Sequence, residues 1–363
     1  MTKNNVELSK EQKKALRKER YEAIMADLKN PVKKAVRARK VATKATSIFR
    51  AIAFIGLSFV ILFPIFQQLM LAFRSPEDIN NPLIVWIPET WSTVNFTIAI
   101  QLTQYWKSLI NNFRVATITT IFQLASTALA GYAFARLKFK GSNILFWMVM
   151  LTLIIPPQVT AASRSLFFSN FDIFGIVKLF NGGKAIAIRG PGKDYIFYIM
   201  AATGQGIRAS LFIFLFRQFF RGVPIELEES AQIDGAGILR TFWSVMLPNA
   251  RGAIVTVALF AFVWQWNDCY FGQLLGYTSG NMTLLAVELS TGTEVLRTII
   301  STWAAAGNDV LESFIASGVT TDPLFTSLIA NTAALMIMAP LLIGYFFVQK
   351  LFVESIERTG ITG

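Results

Sequence analysis

The densest set of chemically capable side chains lies in residues 224–248, where Glu226, Glu228, Glu229 and Asp234 fall close together. Their spacing suits recognition. Pro224 fits a helix start, because its missing N–H would have no partner there. Glu226, Glu228 and Glu229 then crowd the first turns, where the helix dipole favours negative charge. Asp234-Gly235 is a turn signal, and Gly235 can take φ > 0. A second helical pattern follows, with Ile238 and Leu239 each four residues before an aromatic, Phe242 and Trp243. The stretch is expected to form two short helices with a sharp bend. One of them presents a small-residue, acid-rich surface suited to a groove, and a side chain at Gly235 is expected to block the bend.

Catalytic chemistry finds little support. The chain has no histidine, which removes histidine general bases and histidine metal ligands. No catalytic and no metal-binding residues are assigned. The loop 163–194 carries Asn181-Gly182-Gly183-Lys184 and Gly190-Pro191-Gly192-Lys193-Asp194. A phosphate-binding loop would read Gly-x-x-x-x-Gly-Lys-Ser/Thr. Ala187 stands where the first glycine belongs and Asp194 follows the lysine, so ATP is not expected on this chain.

The elements that position these residues are membrane spans. Of 363 residues, 53% are hydrophobic and 15% are charged, well under the usual quarter. Apolar runs approach the ~20 residues needed to cross a bilayer. The spans are expected at about 48–73, 113–135, 143–162, 195–220, 250–274 and 324–352, with a polar loop at 221–248. Pro64 and Pro340 lie inside two of them, where neighbouring helices can satisfy the freed carbonyls. Residues 74–110 and 275–323 read as polar loops, and 163–194 as a basic insertion. Residues 1–50 hold 15 Lys and Arg against 5 Asp and Glu, or +10 of the total +12. Directly before an apolar run, that block reads as a cytoplasmic tail (1–47) under the positive-inside rule, not as a nucleic-acid site. Ser9 and Gln12 offer a capping box for a surface helix that Pro31 would interrupt. Six spans place both termini, the cationic turn at Arg136, Lys138 and Lys140, and the 221–248 loop on one side, the cytoplasm. The fold class is an all-α membrane protein.

The 224–248 stretch resembles the EAA loop of permease subunits in binding-protein-dependent ABC importers. Glu229-Ser230-Ala231 stands for Glu-Ala-Ala, Asp234-Gly235-Ala236 is similar to the Asp-Gly-Ala of the sugar branch, and Leu247-Pro248 closes the motif. Gly131-Tyr132-Ala133-Phe134-Ala135-Arg136, Asn95-Phe96, residues 108–112 and the glycine-containing tail 353–363 also resemble segments of that family. Trp266-Asn267-Asp268 resembles the Trp-Asn-acid cluster of sugar permeases.

The resemblance, to the maltose-importer type, implies the following. The chain is a non-catalytic permease subunit in a bacterial cytoplasmic (inner) membrane. It pairs with a second homologous permease, an ATPase subunit dimer carrying the ATP and Mg, and an extracytoplasmic solute-binding protein. Glu229, Ser230, Ala231, Asp234, Gly235, Ala236 and Pro248 would couple it to the ATPase. Gln123, Trp266, Asn267 and Asp268 are the substrate-path candidates, since a sugar needs polar and aromatic groups inside an apolar bundle. Each has a plainer role open to it, as glue between helices or, for Trp266, as an interfacial anchor. Two alternatives stay open: an ABC permease for a non-sugar solute, and an ion-coupled secondary transporter. The second would need mid-span carboxylates, and the expected spans have none near their centres.

Overall fold

The structure, a computed structural model, describes residues 31–79, 81, 86–172, 174–189, 193–275, 283–316 and 318–360, with isolated positions between 14 and 25. The expected capping pair Ser9 and Gln12 lies outside them. The described residues are helical, apart from turns and two isolated bridges. The chain divides into two units, Met1–Gln67 and Gln68–Gly363.

The first unit holds most of α1 (Pro31–Ala72), a continuous helix with Pro64 inside it. Pro31 is its first residue, so residues 31–47, expected as tail, are helical and run straight into the first span. Ile52, Phe54, Ile55 and Phe59 are exposed, as a hydrocarbon surround would have them.

The second unit is built around α3 (Tyr105–Arg136). One face of α3 is small or polar: Ala116, Thr120, Thr127, Ala128 and Gly131 are all buried. That face lets α8 (Ala209–Gly222) and α12 (Arg251–Trp266) pack closely along it. Each partner supplies a stripe at four-residue spacing. On α8 it is Phe212, Phe216 and Phe220; on α12 it is Ala253, Val257 and Ala261. These meet Tyr132, Phe242 and Met246 in a core at the Arg136 end of α3.

Membrane crossing is less regular than six straight spans. Three helical stretches are long and apolar enough among the described residues: Ala42–Ala72, Tyr105–Arg136 and Pro323–Lys350. Two bent pairs bring the number to five at most. The expected span 143–162 is α4 (Ser142–Ile154), then a turn at Pro156-Pro157, then α5 (Ala161–Ser169), with the pair bent by 101°. Two successive prolines remove two donors and force the break. The expected span 195–220 is α7 (Tyr195–Ala202) and α8, separated by residues 203–208. Gly204 at φ 71° and Arg208 at φ 58° turn the chain there. The expected span 250–274 stops at Trp266 and resumes as α13 (Tyr270–Leu274). The last helix, α16 (Pro323–Gly360), continues past 352 into the expected tail.

The two regions read as polar loops contain helices. Between α1 and α3 lies α2 (Val94–Leu102), and between α13 and α16 lie α14 (Leu285–Ala305) and α15 (Asp309–Ala316). Ile98, Leu102, Leu296, Ile300, Leu311, Phe314, Phe325 and Ile329 close into a core of their own. Gly292 on α14 allows this, because a Cβ there would lie 2.8 Å from Leu102.

Candidate functional site: the acid-rich loop and the polar groups in the bundle

The acid-rich stretch folds as α9 (Ile225–Ile233), a bend, α10 (Ile238–Thr241), a π-helical segment Phe242–Met246 and α11 (Leu247–Asn249). Pro224 immediately precedes α9, and Glu226 and Glu228 occupy its first turn. The bend is a Schellman cap. Ala236 N–H donates to Ala231 O at 2.9 Å, and Gly235 N–H donates to Gln232 O at 3.0 Å. Gly235 sits at φ 79°, the left-handed value that such a cap requires. The expected steric block at Gly235 is not there, since a Cβ would meet no heavy atom within 4 Å. Glycine is needed for its backbone angle, not for space.

Adjacent glutamates face opposite ways. Glu229 is exposed, together with Ser230, Asp234 and Pro248, while Ala231 and Ala236 are half-buried. Glu228 is buried, and its Oε2 lies 3.5 Å from Arg136 Nε at the end of α3. That distance makes a charge pair more than a hydrogen bond. Arg136 also donates to the carbonyl of Val223, just before α9. A second cation, Arg217 on α8, lies 3.9 Å over the Phe146 ring and donates to Phe134 O at 3.3 Å. Through Arg136 the loop is tied to the bundle from its inner side. Its outer side shows Ile225, Leu227, Ile233, Ile238, Leu239 and Trp243, all exposed, around the acids.

Each of the expected solute-path residues has a partner inside the chain, Gln123 on α3 and Trp266, Asn267 and Asp268 in succession at the end of α12. Gln123 is buried on α3 and donates from Nε2 to Ile207 O at 2.6 Å. Ser126 donates to Ala201 O at 2.6 Å. Together they satisfy carbonyls freed by the break between α7 and α8. Trp266 is buried and donates from Nε1 to Ile337 O at 3.1 Å, so an exposed anchor role at the interface does not fit it. Asn267 is exposed and turns back to Val263 O at 2.9 Å. Asp268 is buried, with its two oxygens accepting from Phe271 and Gly272 N–H, both at 3.1 Å, at the start of α13.

Other polar groups went unnoticed in the sequence. Thr119, Thr120 and Gln265 are buried on α3 and α12, and Thr119 Oγ1, Thr120 Oγ1 and Gln265 Nε2 have no hydrogen-bond partner. A buried polar group without a partner costs about 1–3 kcal/mol. The available signal was polarity at mid-span; two threonines in a row simply read as helix-packing residues. On α14, Glu288 is buried and its carboxyl is raised above the ordinary range by that burial, with Lys107 drawing it back down.

Residues 124–358 match the family described as binding-protein-dependent transport system inner membrane component. Similar proteins include the sn-glycerol-3-phosphate transport system permease protein UgpE of Yersinia pestis bv. Antiqua, 26% identical over 68% of this chain and 79% of that protein. The arabinooligosaccharides transport system permease protein AraQ of Halalkalibacterium halodurans is 24% identical over 86% of this chain and 95% of that protein. The alpha-glucoside transport system permease protein AglG of Rhizobium meliloti is 29% identical over 50% of this chain and 44% of that protein. Among solved structures, a chain of a bacterial ABC transporter involved in import of the acidic polysaccharide alginate has the same fold. Its TM-score is 0.57 at 17% identity, covering 86% of this chain and 98% of that one.

Proposed function

Because the chain belongs to the binding-protein-dependent transport system inner membrane component family, we propose that it is one of two permease subunits of an ATP-driven importer for a carbohydrate. The observation that carries this reading is the capped helix α9, fixed to α3 on its inner side and apolar and acidic on its outer side. That surface suits a cleft on an ATPase dimer, which would hold the ATP and Mg. Glu229, Ser230, Ala231, Asp234, Gly235, Ala236 and Pro248 are the coupling residues. In a bacterial inner membrane, this loop and both termini lie in the cytoplasm, with a solute-binding protein docking on the far side. Closure of the ATPase pair would move α9, and the buried contacts at Arg136 and Arg217 would pass the motion to α3 and α8.

Carbohydrate is the solute class favoured by the permeases for arabinooligosaccharides and alpha-glucosides that the chain resembles. A polyol phosphate is the second reading, favoured by the sn-glycerol-3-phosphate permease. Gln123, Trp266, Asn267 and Asp268 stay in the substrate path as candidates, joined by Thr119, Thr120 and Gln265. Because the first four already have partners in the chain, the homologous second permease is the better place for most solute contacts.

The test is co-purification with the products of neighbouring genes, followed by ATPase assays in lipid with and without candidate sugars, glycerol phosphate and the binding protein. A second permease and an ATPase in the eluate, with sugar-stimulated hydrolysis, support the reading. A chain that purifies alone and moves solute on an ion gradient sinks it. In the same complex, Gly235→Val forces a β-branched residue to a left-handed angle at a cost of about 1–3 kcal/mol. It is expected to leave assembly intact and to reduce uptake severalfold while basal hydrolysis persists. Uptake at the wild-type rate would mean that the cap does not transmit the stroke.

A further inference from the structure

The segment between α5 and α7 has no part in the coupling reading, and its positive charge sits badly with an external loop in water. Its place in the fold resolves this. Helix α4 follows the cationic turn at Lys138 and Lys140, and its 13 residues rise about 20 Å. The turn at 155–160 then brings the chain towards the far side of a hydrocarbon layer of about 30 Å. From there residues 157–169, which include α5, turn away from α4 by 101°, with Leu166 and Phe167 exposed.

Past α5 the chain forms a closed finger. Phe171 and Ile186 exchange backbone hydrogen bonds of 2.9 and 3.2 Å. Asp172 Oδ1 accepts from the N–H groups of Val177 (3.0 Å) and Lys178 (3.3 Å), and Oδ2 pairs with Lys178 Nζ at 3.3 Å. At the base, Ile188 is buried in a core with Phe168, Phe197 and Phe271, and Arg189 donates to Ser165 on α5. The finger is thus internally stapled and rooted in the bundle. Its tip carries α6 (Ile176–Phe180) and shows its apolar side chains outward. Phe174 is 99% exposed, Leu179 78% and Phe180 85%. Lys178 and Lys184 are exposed beside them, and residues 170–194 hold four Lys and Arg against two Asp. Large apolar side chains flanked by cations are the composition of an interfacial membrane anchor.

We propose that this finger inserts Phe174, Leu179 and Phe180 into the headgroup boundary of an anionic leaflet, with Lys184 among the lipid phosphates. The occupant of the apolar tip is lipid continuous with the surface around α4 and α5. The proposal rests on the membrane reading alone, not on the solute or the ATPase.

The experiment uses the assembled importer in nanodiscs of phosphatidylcholine, with or without phosphatidylglycerol. Cys269→Ser removes the single native thiol, and Phe180→Cys takes an environment-sensitive fluorophore. The expected result is blue-shifted emission, strong quenching by spin-labelled lipid, and severalfold weaker iodide quenching than a label in water. Phosphatidylglycerol should strengthen all three, and Lys184→Glu should remove most of that gain. Assembly and basal hydrolysis of the labelled complex confirm that it is folded. Iodide quenching equal to that of a water-exposed label in both lipids would overturn the proposal. Shielding that appears only when the solute-binding protein is added would overturn it too, and would identify a protein occupant.

Discussion

Gly131→Val will leave little folded permease in the membrane. A Cβ at this position would lie 2.5 Å from Phe216 Cβ, 3.0 Å from the Arg217 nitrogen and 3.2 Å from the Ile213 carbonyl oxygen. Two of those three atoms are backbone, so relief requires α3 and α8 to separate. Separation would open the stripe of Phe212, Phe216 and Phe220, all fully buried. Overpacking of this kind costs on the order of 3 kcal/mol or more, and alanine should show a smaller part of the same penalty. The measurement is the monodisperse fraction of the detergent-extracted complex and its thermal midpoint. Gly56→Val and Gly344→Val are the controls, since nothing lies within 4 Å of a Cβ at either place. A Gly131→Val complex with a wild-type midpoint would show that this glycine does not set the spacing of the two helices.

Arg136→Met will also destabilise the complex, through charge. It leaves the Glu228 carboxylate buried beside the Tyr132 hydroxyl with its counter-charge gone, and breaking a buried pair from one side costs about 3–5 kcal/mol. The loss of the Arg136 contact to Val223 O adds to this, because that carbonyl lies at the entry to α9. The double change Arg136→Met with Glu228→Leu should recover much of the midpoint, as the buried charge is then removed altogether. Stability and coupling are separable here. If α9 acts through the pair, the double variant will regain its melting temperature and still waste ATP, with fewer solute molecules moved per ATP hydrolysed. Equal midpoints for wild type and Arg136→Met would show that water reaches Glu228 and that the pair holds nothing in place.

What the sequence disclosed follows from how local the physics is. The bend at Asp234-Gly235 was legible because a Schellman cap is closed by residues 231–236 alone. The long spans α1, α3 and α16 were legible because hydrocarbon demands an unbroken apolar run. The helices α14 and α15 were hidden by that same criterion. They bury one face against protein, so their signal is periodic, with Leu285, Glu288, Gly292, Leu296 and Ile300 on the buried side of α14. The break at 203–208 looked like a weak patch in one span, since the carbonyls it frees are satisfied by Gln123 and Ser126, about eighty positions earlier. Trp266 had the right composition for an anchor or a sugar platform, but its indole is committed to Ile337, 71 residues away. Glu228 and Glu229 cannot be told apart by type; only the place of Arg136 in the fold makes one inward and the other outward.

The break between α7 and α8 has a mechanical consequence. Gln123 and Ser126 hold its carbonyls from a different helix, so α8 can tilt without surrendering a hydrogen bond of its own ladder. Helix α8 is then a lever pivoted at Gly204–Arg208 whose free end runs directly into the capped helix α9. Its 14 residues make an arm of about 21 Å. A displacement of ~3 Å at the loop therefore needs a rotation of only about 8° at the pivot. Because α8 approaches α3 so closely at Gly131, such a rotation would carry α3 with it, and the two ends of the bundle are geared to each other through the phenylalanine stripe between them.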